Sequence, residues 1–199
     1  VTFRDNKGNI LMQEGKFAFE SISNGPDKGK YKVSQSFALG ANEPIYGIGL
    51  LQNGKMNLRG ENRLMIQNNL EDYAHFFQSQ KGYGVYWDNY SPTQITDKDD
   101  FKWESQVGDK IDYYFMYGGN ADGVIREMRN LTGHVPMLPL WTYGFHQSRE
   151  RYKSQEELLD VVHNYRSHNI PLDGIIQDWQ YWEADKWGSH EFDPARFPD

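Results

Sequence analysis

The sequence predicts a mainly β sandwich followed by one βαβ unit of a parallel sheet. Short alternating or aromatic-rich runs, bounded by Gly, Asn, Asp and Pro, fill residues 1 to about 117. A strong helix pattern over 154–168 is followed by "LDGIIQD" (172–178), the near-continuous apolar run of a parallel strand buried on both faces. Between these regions lies "HVPMLPLW" (134–141), whose two prolines mark a crossing between domains. The domains are therefore placed at 1–136 and 137–199.

In the first domain, "GKFAFESI" (15–22) and "GKYKVSQSFAL" (29–39) alternate, and both follow turn-like residues. "KGYGVYWDNY" (81–90) and "KIDYYFMYGG" (110–119) are short aromatic runs closed by Gly and Asp. The pattern changes at Asn120. "NADGVIREMRNLTG" sets Val124, Ile125, Met128 and Leu131 on one helical face, with Asn120 to cap the start and Gly133 to supply the left-handed stop.

In the second domain, the aromatic run "PLWTYGFH" (139–146) is read as a strand. "SQEELLDVVHNYRSHNIP" (154–171) is a helix, opened by a Ser154/Glu157 capping box. Its apolar stripe is Leu158, Leu159, Val161, Val162 and Tyr165, and Asn169 closes it two residues before Pro171. "LDGIIQD" then completes the βαβ unit. A parallel pair needs further strands, so the sheet is expected to be completed beyond this unit or by a second chain.

Composition narrows the function classes. The 199 residues are 38% hydrophobic and 25% charged, a globular balance. No run approaches the roughly 18 apolar residues of a membrane helix. The net charge of −7, without a basic block, argues against a nucleic-acid partner. With no cysteine there are no disulfides or thiolate metal sites, and the six histidines show no ligand spacing, so neither metal nor cofactor is expected. The first residues do not read as a signal peptide. Because the chain does not begin with Met, this says nothing about export; the compartment stays open, with a periplasmic or secreted location preferred. Aromatics make up 15% of the chain, which fits both a β-rich core and a surface that covers the C–H faces of sugars.

Ligands of β/α architectures gather at the C-terminal ends of the strands. Asp178 closes the second strand, and His146, Gln147, Ser148 and Arg149 are read as following the first. A carboxylate there can accept two sugar hydroxyls while Trp179 offers a ring. The competing reading has Asp178 capping a backbone amide and the tryptophans in the core. "SRERY" (148–152) is either a surface ion-pair cluster or, through Arg149, a group that touches a ligand. "YGIGLLQNG" (46–54) lacks the third glycine of a phosphate loop, and no helix follows it.

Four stretches, "YGIGLLQNGKMNLRG", "KGYGVYWDNYSPT", the block from "PLWTYGFH" through "QDWQYW", and "HEFDPARFPD", together resemble glycoside hydrolase family 31 and its α-xylosidase branch. The resemblance implies a galactose-mutarotase-like sandwich followed by a (β/α)8 TIM barrel with retaining α-glycosidase activity. Carried over by position, Asp178 matches the aspartate that binds sugar hydroxyls at the end of the second barrel strand. Trp179 matches the residue that shapes that subsite and favours a pentose. Arg149 and, less directly, His146 match the loop lining the same mouth.

The nucleophile and acid/base of such enzymes come from later strands and have no counterpart here, so no catalytic residue is assigned in this chain. The barrel is expected to be truncated, the chain inactive by itself, and its open edge a route to self-association. The expected partner is an oligosaccharide such as a xyloglucan fragment. An α-glucosidase of the same family and a non-catalytic carbohydrate-binding β-domain are the alternatives.

Overall fold

Period-two alternation builds the first of two units into which the chain divides, Val1–His134; the second begins at Val135. The computed structural model describes residues 1–198. The strands of the first unit are β1 (Thr2–Arg4), β2 (Ile10–Ser21), β3 (Tyr31–Ala38), β4 (Ile45–Leu50), β5 (Asn62–Met65), β6 (Asp72–Ser79), β7 (Tyr83–Trp87), β8 (Thr93–Asp97), β9 (Phe101–Gly108) and β10 (Tyr113–Tyr117). They form a six-stranded sheet, β1-β2-β3-β9-β8-β5, and a four-stranded sheet, β10-β7-β6-β4. Phe37, Ile95 and Trp103 of the larger sheet pack with Phe77, Val85 and Trp87 of the smaller in one buried cluster, making a sandwich.

Alternation explains the packing of β8 and β9. β8 buries Thr93, Ile95 and Asp97, and β9 buries Phe101, Trp103 and Ser105. The Trp87 and Trp103 rings stack with centroids 6.3 Å apart. Trp87 Nε1 donates to Ser105 Oγ at 2.8 Å, and that hydroxyl lies 2.7 Å from Thr93 Oγ1, so the indole N–H is satisfied inside the core.

The first two glycines of "YGIGLLQNG" serve the sheet. Gly47, Ile48 and Gly49 all have left-handed φ, of 125°, 54° and 119°, and the pairing of β4 with β6 slips between Gly47 and Gly49. A β-carbon on Gly49 would overlap the Asp72 carbonyl, so the bulge needs glycine there. Ile48, between them, is fully buried.

A helix, α1 (Ala121–Thr132), closes the first unit. Asn120 Oδ1 accepts the Gly123 N–H at 2.8 Å, and Gly133, at φ 95°, donates its N–H to the Arg129 carbonyl at 2.9 Å. Val124 is buried beside Phe76 and Met116 with Met128 packed against them, while Ile125 and Leu131 at the stripe's margin stay exposed.

The second unit holds β11 (His146–Arg149), α2 (Gln155–Ser167) and β12 (Gly174–Gln177), with β11 and β12 parallel. It corrects the expected strand at 139–146. Residues Leu140–Tyr143 form a single 3-10 turn, because the Pro139 carbonyl accepts both the N–H and the hydroxyl of Thr142, at 3.0 and 2.7 Å. The strand begins only at His146. β12 also differs from the expected strand buried on both faces. Ile176 is exposed, because nothing among the described residues covers its face of the two-stranded sheet.

Helix α2 starts as its sequence indicates: Ser154 Oγ accepts the Glu157 N–H at 3.2 Å. The Glu157 carboxylate, however, accepts from Lys153 N–H at 2.6 Å. At the other end Asn169 takes φ 56°; its N–H donates to Arg166 O, and Ile170 N–H donates to Tyr165 O. This is a Schellman closure with asparagine in the left-handed position. The stripe meets β11 through Tyr165, whose hydroxyl donates to Gln147 Oε1 at 2.8 Å.

Candidate functional site

The register of β11 and β12 fixes what lies at their C-terminal ends. His146 pairs with Gly174 and Arg149 with Gln177. Asp178 is the next residue after β12, and two residues later the chain turns through Gln180 at φ 53°. Asp178 is exposed and has no hydrogen bond or ion pair among the described residues. A carboxylate aligned by a strand yet left unpartnered retains all its acceptor capacity for a ligand's hydroxyls.

Trp179 is held. Its ring lies 6.5 Å from Trp182 and 5.7 Å from Trp187 between centroids, with interplanar angles of 87° and 66°. Trp182 and Trp187 meet edge to face at 5.4 Å, completing a three-tryptophan cluster. The Arg151 guanidinium lies over Trp179, 5.3 Å from its centroid. The following loop is fastened by Arg196, which donates to the Trp182 carbonyl at 2.6 Å and to Asp193 at 2.7 Å. Beside this guanidinium the Asp193 carboxyl is held below its ordinary value.

Below the turn, Gln177 ties the two strand ends together. Its Oε1 accepts the Tyr152 N–H at 3.3 Å, while Nε2 donates to the Tyr152 and Trp179 carbonyls at 3.1 and 3.2 Å. Tyr152 itself is fully buried.

Arg149 reaches the same end of the sheet, but its Nη1 donates to Glu157 Oε1 at 2.9 Å. The Lys153 N–H, together with this guanidinium, keeps the Glu157 carboxyl below its ordinary value. His146 opens β11, so it lies at the far end of the strand from Arg149, roughly 10 Å away at about 3.3 Å per residue. Its Nε2 lies 3.1 Å from the Trp141 carbonyl, and its ring sits so close to Gly174 that no β-carbon would fit there. The structure thus brings Asp178, Trp179 and Arg149 to one end and leaves His146 at the other. The expectation that His146 follows the strand fails because the preceding residues turn instead of extending.

Three contributors were missed in the sequence. Arg151 belongs to "SRERY", but only the fold sets it on Trp179. Gln177 carried a signal, as an amide one residue before the strand-end acid. Trp187 lies in a stretch without periodicity and gave none.

Residues 135–199 match the glycosyl hydrolases family 31 TIM-barrel domain, and residues 1–95 match the glycosyl hydrolase 31 N-terminal galactose mutarotase-like domain. The chain belongs to glycoside hydrolase family 31. In family terms its first unit is the mutarotase-like sandwich, and β11-α2-β12 is the start of the TIM barrel.

Among similar proteins, an alpha-xylosidase from Saccharolobus solfataricus is 39% identical over all of this chain and 28% of its own length. Alpha-glucosidase 2 from Bacillus thermoamyloliquefaciens is 27% identical over all of this chain and 26% of its own. The crystal structure of a GH31 alpha-xylosidase from Xanthomonas citri superposes with a TM-score of 0.89 at 23% identity, over all of this chain and 38% of that one, and so shares the fold. This chain therefore spans little more than a quarter of the length of the curated relatives named here.

Proposed function

We propose that this chain is the N-terminal part of a retaining α-glycosidase, an α-xylosidase that removes terminal α-linked xylose from oligosaccharides such as xyloglucan fragments. The observation that carries the reading is the unpartnered Asp178 carboxylate at the C-terminal end of β12, directly before the braced Trp179. In this reading Asp178 accepts two sugar hydroxyls, and Trp179 covers the apolar face of the same ring. Arg149 borders the site and, released from Glu157, can donate to the ligand, whereas His146 supports β11 from its far end.

The pentose preference rests on the Trp179 indole and on the 39% identical alpha-xylosidase. A large ring beside the carboxylate leaves little room for the hydroxymethyl group of a hexose. The second reading, an α-glucosidase, draws on the 27% identical alpha-glucosidase 2. The carboxylates that form and break the glycosyl-enzyme bond are assigned to barrel strands after β12, so residues 1–199 alone are expected to bind without hydrolysing.

Assaying the full-length protein on p-nitrophenyl α-xyloside against the α-glucoside tests the reading. Faster turnover of the xyloside supports it. Equal or better turnover of the glucoside removes the xylosidase assignment in favour of the second reading.

A further inference from the structure

We infer that Gln177 is a positioning residue for Asp178, setting where the carboxylate meets the sugar; this rests on the reading of Asp178 given above. Three hydrogen bonds leave the Gln177 amide, two of them to the backbone of a single residue. Tyr152 N–H donates to Oε1, and Nε2 donates to Tyr152 O. The third, from Nε2 to Trp179 O, reaches across Asp178 to the residue beyond it. Asp178 is thus the free residue between two held ones. On the other side of the turn, Arg151, the neighbour of Tyr152, covers the Trp179 ring. One dipeptide, Arg151–Tyr152, therefore grips both residues that flank the carboxylate.

The chemistry requires an amide. Position 177 must accept from one N–H and donate to two carbonyls, which among side chains of this length only glutamine does while remaining neutral. A leucine fills the space and makes none of the bonds. A glutamate keeps the bond from Tyr152 N–H, but when ionised it turns an oxygen towards the Tyr152 and Trp179 carbonyls. That repulsion favours the protonated acid and raises the pKa of the introduced carboxyl; once protonated, its O–H can donate to one of the carbonyls. Gln177→Glu is therefore a pH-dependent break in the clamp, repaired on acidification.

The test compares full-length wild type, Gln177→Leu and Gln177→Glu on p-nitrophenyl α-xyloside from pH 5 to 7.5, with circular dichroism at each pH to follow the folded fraction. Gln177→Leu should lower kcat/KM at least tenfold, chiefly by raising KM, because the sugar-binding carboxylate loses its orientation. Gln177→Glu should lose at least tenfold relative to wild type at pH 7.5 and recover to within threefold at pH 5, with the folded fraction unchanged.

A Gln177→Glu ratio to wild type that does not change with pH overturns the proposal. So does an activity loss fully accounted for by loss of folded protein, which would make the clamp structural only. If wild type hydrolyses neither xyloside nor glucoside, the reading of Asp178 falls and takes this proposal with it. An active wild type with a pH-independent variant removes the role of Gln177 alone.

Discussion

The Arg151 guanidinium lies over the Trp179 indole, 5.3 Å from its centroid, so the residue that braces the ring comes from the β11–α2 connection and not from the segment after β12 that carries Trp179. A cation over an indole is worth about 0.5–1 kcal/mol at an exposed site. If that interaction orients the ring for the sugar, Arg151→Leu in the full-length protein should raise KM for p-nitrophenyl α-xyloside by about 2–5-fold, the same free energy expressed as binding. Arg151→Lys should retain most of the affinity. An unaltered KM in the leucine variant would show that the tryptophan cluster holds the ring unaided.

In the proposed reading, Trp179 is also where pentose and hexose part. Trp179→Ala should open space for a hydroxymethyl group and shift the ratio of kcat/KM values towards the α-glucoside by about 1–3 kcal/mol, the usual worth of one small group in a pocket. Parallel kinetics on the two aryl glycosides measure the ratio. A ratio that stays at the wild-type value would place selectivity elsewhere.

How much of this was legible in the sequence follows the range of the forces involved. Helix ends are local, and Asn120, Gly133, Ser154 and Asn169 all take the capping positions their residue types suggest. Position along the strand made Asp178 and Trp179 visible as site candidates, because the residue after an apolar run must emerge at the strand's end. The strand expected at 139–146 was misplaced because Leu, Trp and Tyr favour sheets, while one hydrogen-bonded turn at Pro139 decides the local backbone. The grip of Tyr152 on Gln177 joins residues 25 apart through a helix, and no periodicity encodes it.

Stability of the sandwich should centre on Glu43. This carboxylate, 2% exposed, accepts from Ser79 Oγ and the Tyr83 hydroxyl at 2.5 Å each, and from Gly40 N–H and Lys81 Nζ at 2.7 Å each. Glu43→Ala strands three of these donors in or near the core and frees a partly exposed lysine. The expected loss is about 2–4 kcal/mol, read by urea denaturation of the 199-residue chain. A loss within experimental error would mean that water replaces the carboxylate without cost.

The same cluster sets a pH window. Burial pushes the Glu43 carboxyl up, but Lys81, Ser79, Tyr83 and the Gly40 N–H outweigh it and hold it below its ordinary 4.5. Its stabilisation is therefore complete above that value and lost as pH falls through the lowered one. Burial, then the hydrogen bond to Glu43 and that group's charge, raise Tyr83 above its ordinary 10.0, so its contribution is complete below that value and lost as pH rises beyond it. The contribution of this cluster to unfolding free energy should be level between these limits and fall on either side. Removing Glu43 should flatten the acid limb, and an unchanged acid limb would assign it to other carboxylates.

The β4 bulge makes a contrast between glycines. Gly49→Ala meets the Asp72 carbonyl at a left-handed φ of 119°, and should cost about 3 kcal/mol or more. Gly25→Ala, at φ 80° with open space around it, should cost about 1 kcal/mol. Denaturation midpoints of the two variants measure the difference; equal losses would mean that β4 re-registers around the alanine.

The most direct measurement is kcat/KM of Asp178→Ala in the full-length protein on p-nitrophenyl α-xyloside. Removing a charged acceptor that hydrogen-bonds the sugar should cost roughly 2–4 kcal/mol, a fall of about 30- to 900-fold, with the fold intact by circular dichroism. An unchanged kcat/KM would make Asp178 a bystander at the end of its strand.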